Sequence, residues 1–200
     1  MKTIKQKQTE AYVALKEKFG LTNPMQTPVV EKVIISSGIG STKDKKKVEL
    51  IADRLAKITG QRPSTRVSKK SIASFKVREG EPVGYMITLR GGRMFDFLDR
   101  LINIALPRTK DFRGIPRKSI DAMGNYTLGI KEHTIFPETS DEDLKDVFGM
   151  SITVVTSSKD KKLTEAYMEF IGFPFKKTDV ANEITLPTHK PEKPAKKEKK

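Results

Sequence analysis

The chain contains no cysteine and only two histidines, His133 and His189, in 200 residues. Without cysteine there is no disulfide, no thiolate metal ligand and no thiol nucleophile. His133 has no histidine or cysteine near it in the sequence, so it reads as a surface or hydrogen-bonded histidine rather than a ligand or base. No apolar run approaches the roughly 20 residues of a membrane span. The opening stretch MKTIKQKQTE lacks the apolar core of a secretory signal. The expected setting is soluble and cytoplasmic, with no membrane partner. Phosphate loops are missing too: no G-x-x-x-x-G-K-S/T occurs, and Gly38-Ile39-Gly40 lacks the third glycine of a dinucleotide fingerprint. A strand-end turn is the simpler use of those glycines. The acids Glu138, Asp141, Glu142, Asp143 and Asp146 fit no calcium-loop spacing and suit an exposed helix start, where the helix dipole favours negative charge. Catalysis, metals and cofactors find little support.

What the chain has is positive charge. Against 25 acids stand 39 lysines and arginines, a formal net charge of +14, and the expected partner is a polyanion. The segment 178–200 holds six lysines and four acids, so +12 of the excess lies in residues 1–177. Its composition of Pro, Lys and Glu predicts a disordered tail, distinct from one domain over 1–177. The densest basic run is 60–93, where Arg62, Arg66, Lys69, Lys70, Lys76, Arg78, Arg90 and Arg93 face only Glu79 and Glu81. Small hydroxyl residues interleave with these cations, a composition that can neutralise and hydrogen-bond phosphate oxygens. The plainer alternative is a solvated basic face.

Apolar spacing predicts helices over 3–19, 44–59 (capped by Ser41 or Thr42), 93–105 and 159–171. Runs rich in β-branched residues predict strands at 29–36, 62–68, 83–90 and 150–156, with a strand or hairpin at 126–135. The segments 69–82 and 107–125 read as long loops. The order strand-helix-strand-strand-helix-strand suggests an α+β fold: an antiparallel sheet with helices packed on one face, a split βαβ core like that of RNA-recognition domains. The other face would be free, and basic if Arg66, Thr88 and Arg90 point outward, which is how such sheets meet RNA. Arg90-Gly91-Gly92-Arg93, where a strand meets a helix, can gather N–H groups and two guanidiniums on one phosphate, or simply make a turn. Phe75 stands among lysines, either to stack on a base or to anchor its loop in the core.

Several stretches resemble a known family. NPMQ at 23–26, KKSIA at 69–73, FKVREG at 75–80, TLRG at 88–91 and FLDRLINIALPR at 97–108 are similar to the bacterial form of large-subunit ribosomal protein five. DFRG at 111–114, GNYTLG at 124–129 and GFPF at 172–175 extend the likeness over about residues 5–176. The resemblance implies a non-enzymatic protein of the central protuberance of the large ribosomal subunit that binds 5S rRNA and helps attach it. Asn23, Met25, Gln26, Arg66, Thr88, Arg90 and Arg93 match its 5S rRNA-contacting parts. Lys69, Lys70, Ser71, Phe75, Lys76 and Arg78 match a loop that reaches the P-site tRNA. Arg108, Lys110, Arg113, Arg117, Glu138, Asp141 and Asp143 lie where the family meets small-subunit protein thirteen. Other implied partners are the large-subunit rRNA and neighbouring central-protuberance proteins. Ser36-Ser37 stands where the family commonly has Asn-Met, and Ser74 where it commonly has glycine.

Overall fold

The computed structural model describes residues 2–40, 44–139 and 147–176. The elements run α1 (Ile4–Phe19), β1 (Val30–Gly38), α2 (Lys45–Thr59), β2 (Ser64–Val67), β3 (Pro82–Leu89), α3 (Gly91–Arg100), β4 (Tyr126–Ile130), β5 (Met150–Thr156) and α4 (Lys161–Ile171). All strand pairs are antiparallel, in the order β2-β3-β1-β5-β4. The α+β expectation holds.

Strand alternation divides the sheet into two faces. Val33, Ile35, Tyr85, Ile87, Leu89, Leu128, Ile152 and Val154 are buried, together with Met94, Phe97, Leu98 and Leu101 of the α3 region. Phe97 stacks on Phe136 at 6.0 Å between ring centroids. Helix α1 is closed at both ends: Thr3 and Gln6 make a reciprocal capping box, and Gly20 takes the left-handed conformation at its C-terminus. It is tied to the far end of the chain, since Lys7 Nζ donates to the Ile171 carbonyl (2.6 Å) and Tyr167 OH to Gln8 Oε1 (3.1 Å).

Four local expectations change. The cap of α2 is Asp44, whose carboxylate accepts from Lys46 N at 3.1 Å; Ser41 and Thr42 lie outside the described residues. Helix α3 begins at Gly91 rather than Arg93, so the two glycines form its first turn, and Leu101–Ala105 closes it as a π-helical turn. There Leu106 N reaches back to the Leu101 carbonyl at 2.9 Å, ahead of Pro107. The 126–135 segment is no hairpin: β4 stops at Ile130, pairs with β5, and a 3₁₀ turn covers His133–Ile135. The acidic segment begins in a 3₁₀ turn, Pro137–Thr139, in which Glu138 is half-buried, while 140–146 lies outside the described residues. Gly38-Ile39-Gly40 is the expected strand-end turn, with Ile39 N donating to the Val83 carbonyl at 3.0 Å.

The turn before β4 is drawn around Asp121. Its carboxylate accepts from the backbone N–H of Met123 (2.9 Å) and Asn125 (2.7 Å) and from Asn125 Nδ2 (3.1 Å). Slight burial works against the charged form, but these hydrogen bonds outweigh it and hold the carboxyl below its ordinary pKa. A depressed folded-state value contributes stability above the unfolded-state value of about 3.9, lost as pH falls through the folded one. Acid melts should therefore steepen below about pH 4 in the wild type and less so in Asp121→Ala. Parallel acid limbs for the two proteins would refute this role.

Candidate nucleic-acid interface

The face of the sheet turned away from the helices is hydroxyl-rich. Ser64 and Arg66 of β2 pair with Met86 and Gly84 of β3; Thr88 and Met86 pair with Ile34 and Ser36 of β1. Across β1, Ile34 and Ser36 meet Thr153 and Ser151 of β5, and Thr153 meets Thr127 of β4 with their hydroxyls 3.1 Å apart. Apart from Glu31, which sits in the bulge at the start of β1, no carboxylate belongs to these strands. Arg66 lies on this face against Met86 Sδ (3.8 Å), and Thr88 beside it. Arg90 follows β3 as the exposed N-cap of α3, and Arg93 is exposed one turn on. The face is thus a polar, mostly uncharged platform with cations at its margin, rather than basic throughout.

At the end of the sheet where β1 begins, residues 23–26 form a rigid knuckle. The Asn23 side chain accepts from Met25 N (3.0 Å), and Gln26 Oε1 accepts from Thr22 N (3.0 Å) and Asn23 N (3.3 Å). Both polar side chains hold the turn, and Met25 is what it presents, 90% exposed. At the opposite end, the 68–81 segment is built rather than slack. Ser68 N donates to the Glu81 carbonyl (2.9 Å), Ile72 and Val77 bridge antiparallel, and Ser71 Oγ accepts from Glu79 N (3.0 Å). Lys76 turns the tip at φ +52°. Lys69, Lys70, Lys76 and Arg78 are exposed around it, and Phe75, 73% exposed, is not a core anchor.

The third group divides. Arg108, Lys110 and Arg113 are exposed on the 107–118 segment. Arg117 is not: its side chain is 11% exposed, ion-paired to Glu165 and Glu169 of α4, with its guanidinium over the Phe175 ring. Burial opposes its charge, but the two carboxylates outweigh that and raise its pKa above the ordinary value. Glu138 is likewise engaged, by Arg100, which also donates to the Ile58 carbonyl at 3.1 Å. Both side chains are engaged in ion pairs within the fold. Asp141 and Asp143 lie outside the described residues.

His133 is fully buried, its ring stacked on Phe148 at 4.2 Å, with Nε2 3.3 Å from Arg54 and Nδ1 accepting from Phe148 N at 3.4 Å. The hydrogen-bonded alternative is the correct one. Buried Arg54 had no place in the sequence reading, although its position three after Ile51 and four before Ile58 put it on the apolar stripe of α2. The Thr127–Thr153 pair was also missed, though alternation in 150–156 marks Ser151, Thr153 and Val155 as one face.

Residues 23–78 match the model of the ribosomal protein L5 family, and 82–175 match the separate model of that family's C-terminus. The large ribosomal subunit protein uL5 of Sulfurimonas denitrificans is 50% identical over 173 residues, covering 84% of this chain and 96% of that protein. That of Flavobacterium johnsoniae is 49% identical over 165 residues (82% and 90%), and that of Rubrobacter xylanophilus 46% over 168 (84% and 93%). With both parts matched in order and half the residues shared, the chain belongs to the ribosomal protein L5 family, structural and non-enzymatic constituents of the large ribosomal subunit.

Proposed function

We propose that this protein binds 5S rRNA and helps attach it in the central protuberance, contacts the P-site tRNA through its basic loop, and meets small-subunit protein thirteen across the subunit interface. The observation that carries the reading is the sheet face that, among the described residues, no helix covers. Ser64, Arg66, Thr88, Ser36, Ser151, Thr153 and Thr127 line it, and hydroxyls with an edge arginine suit the 2′-hydroxyls and phosphates of RNA. Met25 on its knuckle and the Arg90–Arg93 pair at the start of α3 extend the same surface at one end. Residues 1–177 form the RNA-binding domain in this reading, and 178–200 a tail outside it.

A titration of the purified protein with 5S rRNA at physiological salt, with transfer RNA and duplex DNA as competitors, tests the first part. Tight binding that neither competitor displaces is expected; weak binding shared by all three polyanions would sink it. The tip of the 69–84 loop is assigned to tRNA. Shortening it should leave 5S rRNA affinity within about twofold, an effect of some 0.4 kcal/mol, while weakening tRNA retention on assembled ribosomes. Loss of 5S binding in the shortened protein would refute that division. For the bridge, the exposed cations Arg108, Lys110 and Arg113 are the contacts, with Asp141 and Asp143 retained from sequence alone.

A further inference from the structure

The edge of the sheet opposite β4 lies beside a groove that the RNA reading does not use. Strand β2 is that edge: among the described residues it pairs in a ladder with β3 alone, and all four of its residues are exposed. An edge strand offers a row of N–H and C=O groups on which another extended chain can add. Helix α2 runs alongside, and the gap between the two holds about 460 Å³. Its floor is apolar, made by Ala52 and Ala56 of the helix, Pro63 ahead of the strand, and buried Tyr85. The small alanines leave room for incoming side chains. Four residues with a bulge after Arg66 are too few to hold a partner by main-chain bonds alone, so the side chains of the groove must select it.

Those side chains run against the charge of the molecule. Glu49 and Asp53 stand exposed one turn apart on α2, and Arg62, at the turn into β2, is the single cation among the lining residues. Glu49 makes no ion pair among the described residues. Asp53 has one with Lys57 at 3.1 Å, but both side chains are more than half exposed, which makes the pair weak. On a chain of net charge +14, the helix wall of this groove repels phosphate and attracts cations. Strand alternation keeps the two surfaces apart: Ser64 and Arg66 belong to the open face, while Thr65, opposite buried Tyr85, belongs to the groove. A partner in the groove therefore leaves the open face free. The spacing of the acids also fits a strand. Residues four apart on a helix rise about 6 Å, and alternate residues of a strand about 6.6 Å. Side chains at every second position of an added strand thus meet the two carboxylates in turn.

We propose that an extended segment of another protein, with lysine or arginine at every second position, adds to β2 as a sixth strand and lays those cations against Glu49 and Asp53.

A short blocked peptide of alternating lysine and valine is the probe. Titrated into the RNA-free, isotopically labelled full chain, it should shift the amide signals of residues 49–56 and 64–67 to saturation. Glu49→Gln with Asp53→Asn should weaken it by about tenfold. Both positions are exposed, so the remaining amides should stay in place. N-methylation of the peptide nitrogens should abolish binding, which separates strand addition from loose ion pairing. A glutamate–valine peptide should shift nothing there. No shift at about millimolar peptide, equal shifts from both peptides, or full binding by the double variant or the methylated peptide would each overturn the proposal. So would shifts of these amides on adding 5S rRNA or on concentrating the protein alone, since RNA or a second copy would then be the occupant. The peptide arms use no RNA, so their failure leaves the rRNA-binding reading untouched.

Discussion

Gly124→Ala should destabilise the protein by about 3–5 kcal/mol, among the largest effects of any single methyl added to this chain. Gly124 sits at φ +72°, a conformation in which a β-carbon is strained by about 1–2 kcal/mol. The larger cost is steric. A β-carbon there would stand 2.3 Å from the Ser158 carbonyl oxygen and 2.7 Å from Thr164 Oγ1. Neither neighbour yields easily. The Ser158 oxygen belongs to the backbone just past β5, Thr164 is fully buried in α4, and the Gly124 carbonyl itself accepts from Thr156 Oγ1 at 2.6 Å. Moving them separates the start of β4 from β5 and α4 together. Gly129→Ala is the control, with nothing within 4 Å of the added carbon and no positive φ; it should change stability by about 0.5 kcal/mol or less. Denaturant melts of the two variants check this, and similar midpoints would mean that the turn relaxes around the methyl.

Arg66→Ala with Arg90→Ala should weaken 5S rRNA binding by about ten- to a hundredfold per lost charged hydrogen bond, at roughly 1.5–3 kcal/mol each. It should also flatten the dependence of log affinity on log salt by about one unit per phosphate contact. Both side chains are exposed, so the fold should survive: Arg66 leans on Met86 of an edge strand pair, and Arg90 makes no side-chain cap to α3. The slope is the diagnostic quantity. A merely structural arginine would lower affinity by unfolding protein and leave the salt slope intact. Unchanged affinity and slope would remove the open face from the RNA interface.

The faces of this sheet could be read from the sequence because alternation is a local property. Val83, Tyr85, Ile87 and Leu89 share one side whatever they pair with, and so do Met150, Ile152 and Val154. Helix α3 declared its apolar set equally well, from Met94 to Ala105. What sequence could not supply was the state of single charges. Arg113 and Arg117 look alike in a basic segment, yet one is exposed and the other is paired with two glutamates about fifty residues away. Glu138 met Arg100 in the same way. A charge on a surface and a charge in a pair differ only in long-range partners, which composition does not encode. Local competition explains the rest. Asp44 was closer to the helix start than the hydroxyls considered for the cap, and Gly91, at a positive φ that glycine tolerates, makes the turn from β3 into α3.

The central strand β1 has consequences for the order in which this protein is made. Its neighbours are β3, about fifty residues later, and β5, about one hundred and twenty residues later. Helix α1 leans on the end of α4 through the Lys7–Ile171 and Gln8–Tyr167 contacts. Helix α1 therefore waits for the last third of the chain for α4, and β1, which can pair with β3 earlier, waits that long for its second neighbour β5. Closing loops of that length comes before any contact rewards it, which slows folding. At about 5–20 residues per second, synthesis leaves α1 without α4 and β1 without β5 for roughly 6–30 seconds after they emerge. Until residue 171 is out the newborn chain thus lacks part of its sheet and the helix that α1 packs on, and a polyanion able to hold its cations during that interval would meet it before the fold is complete.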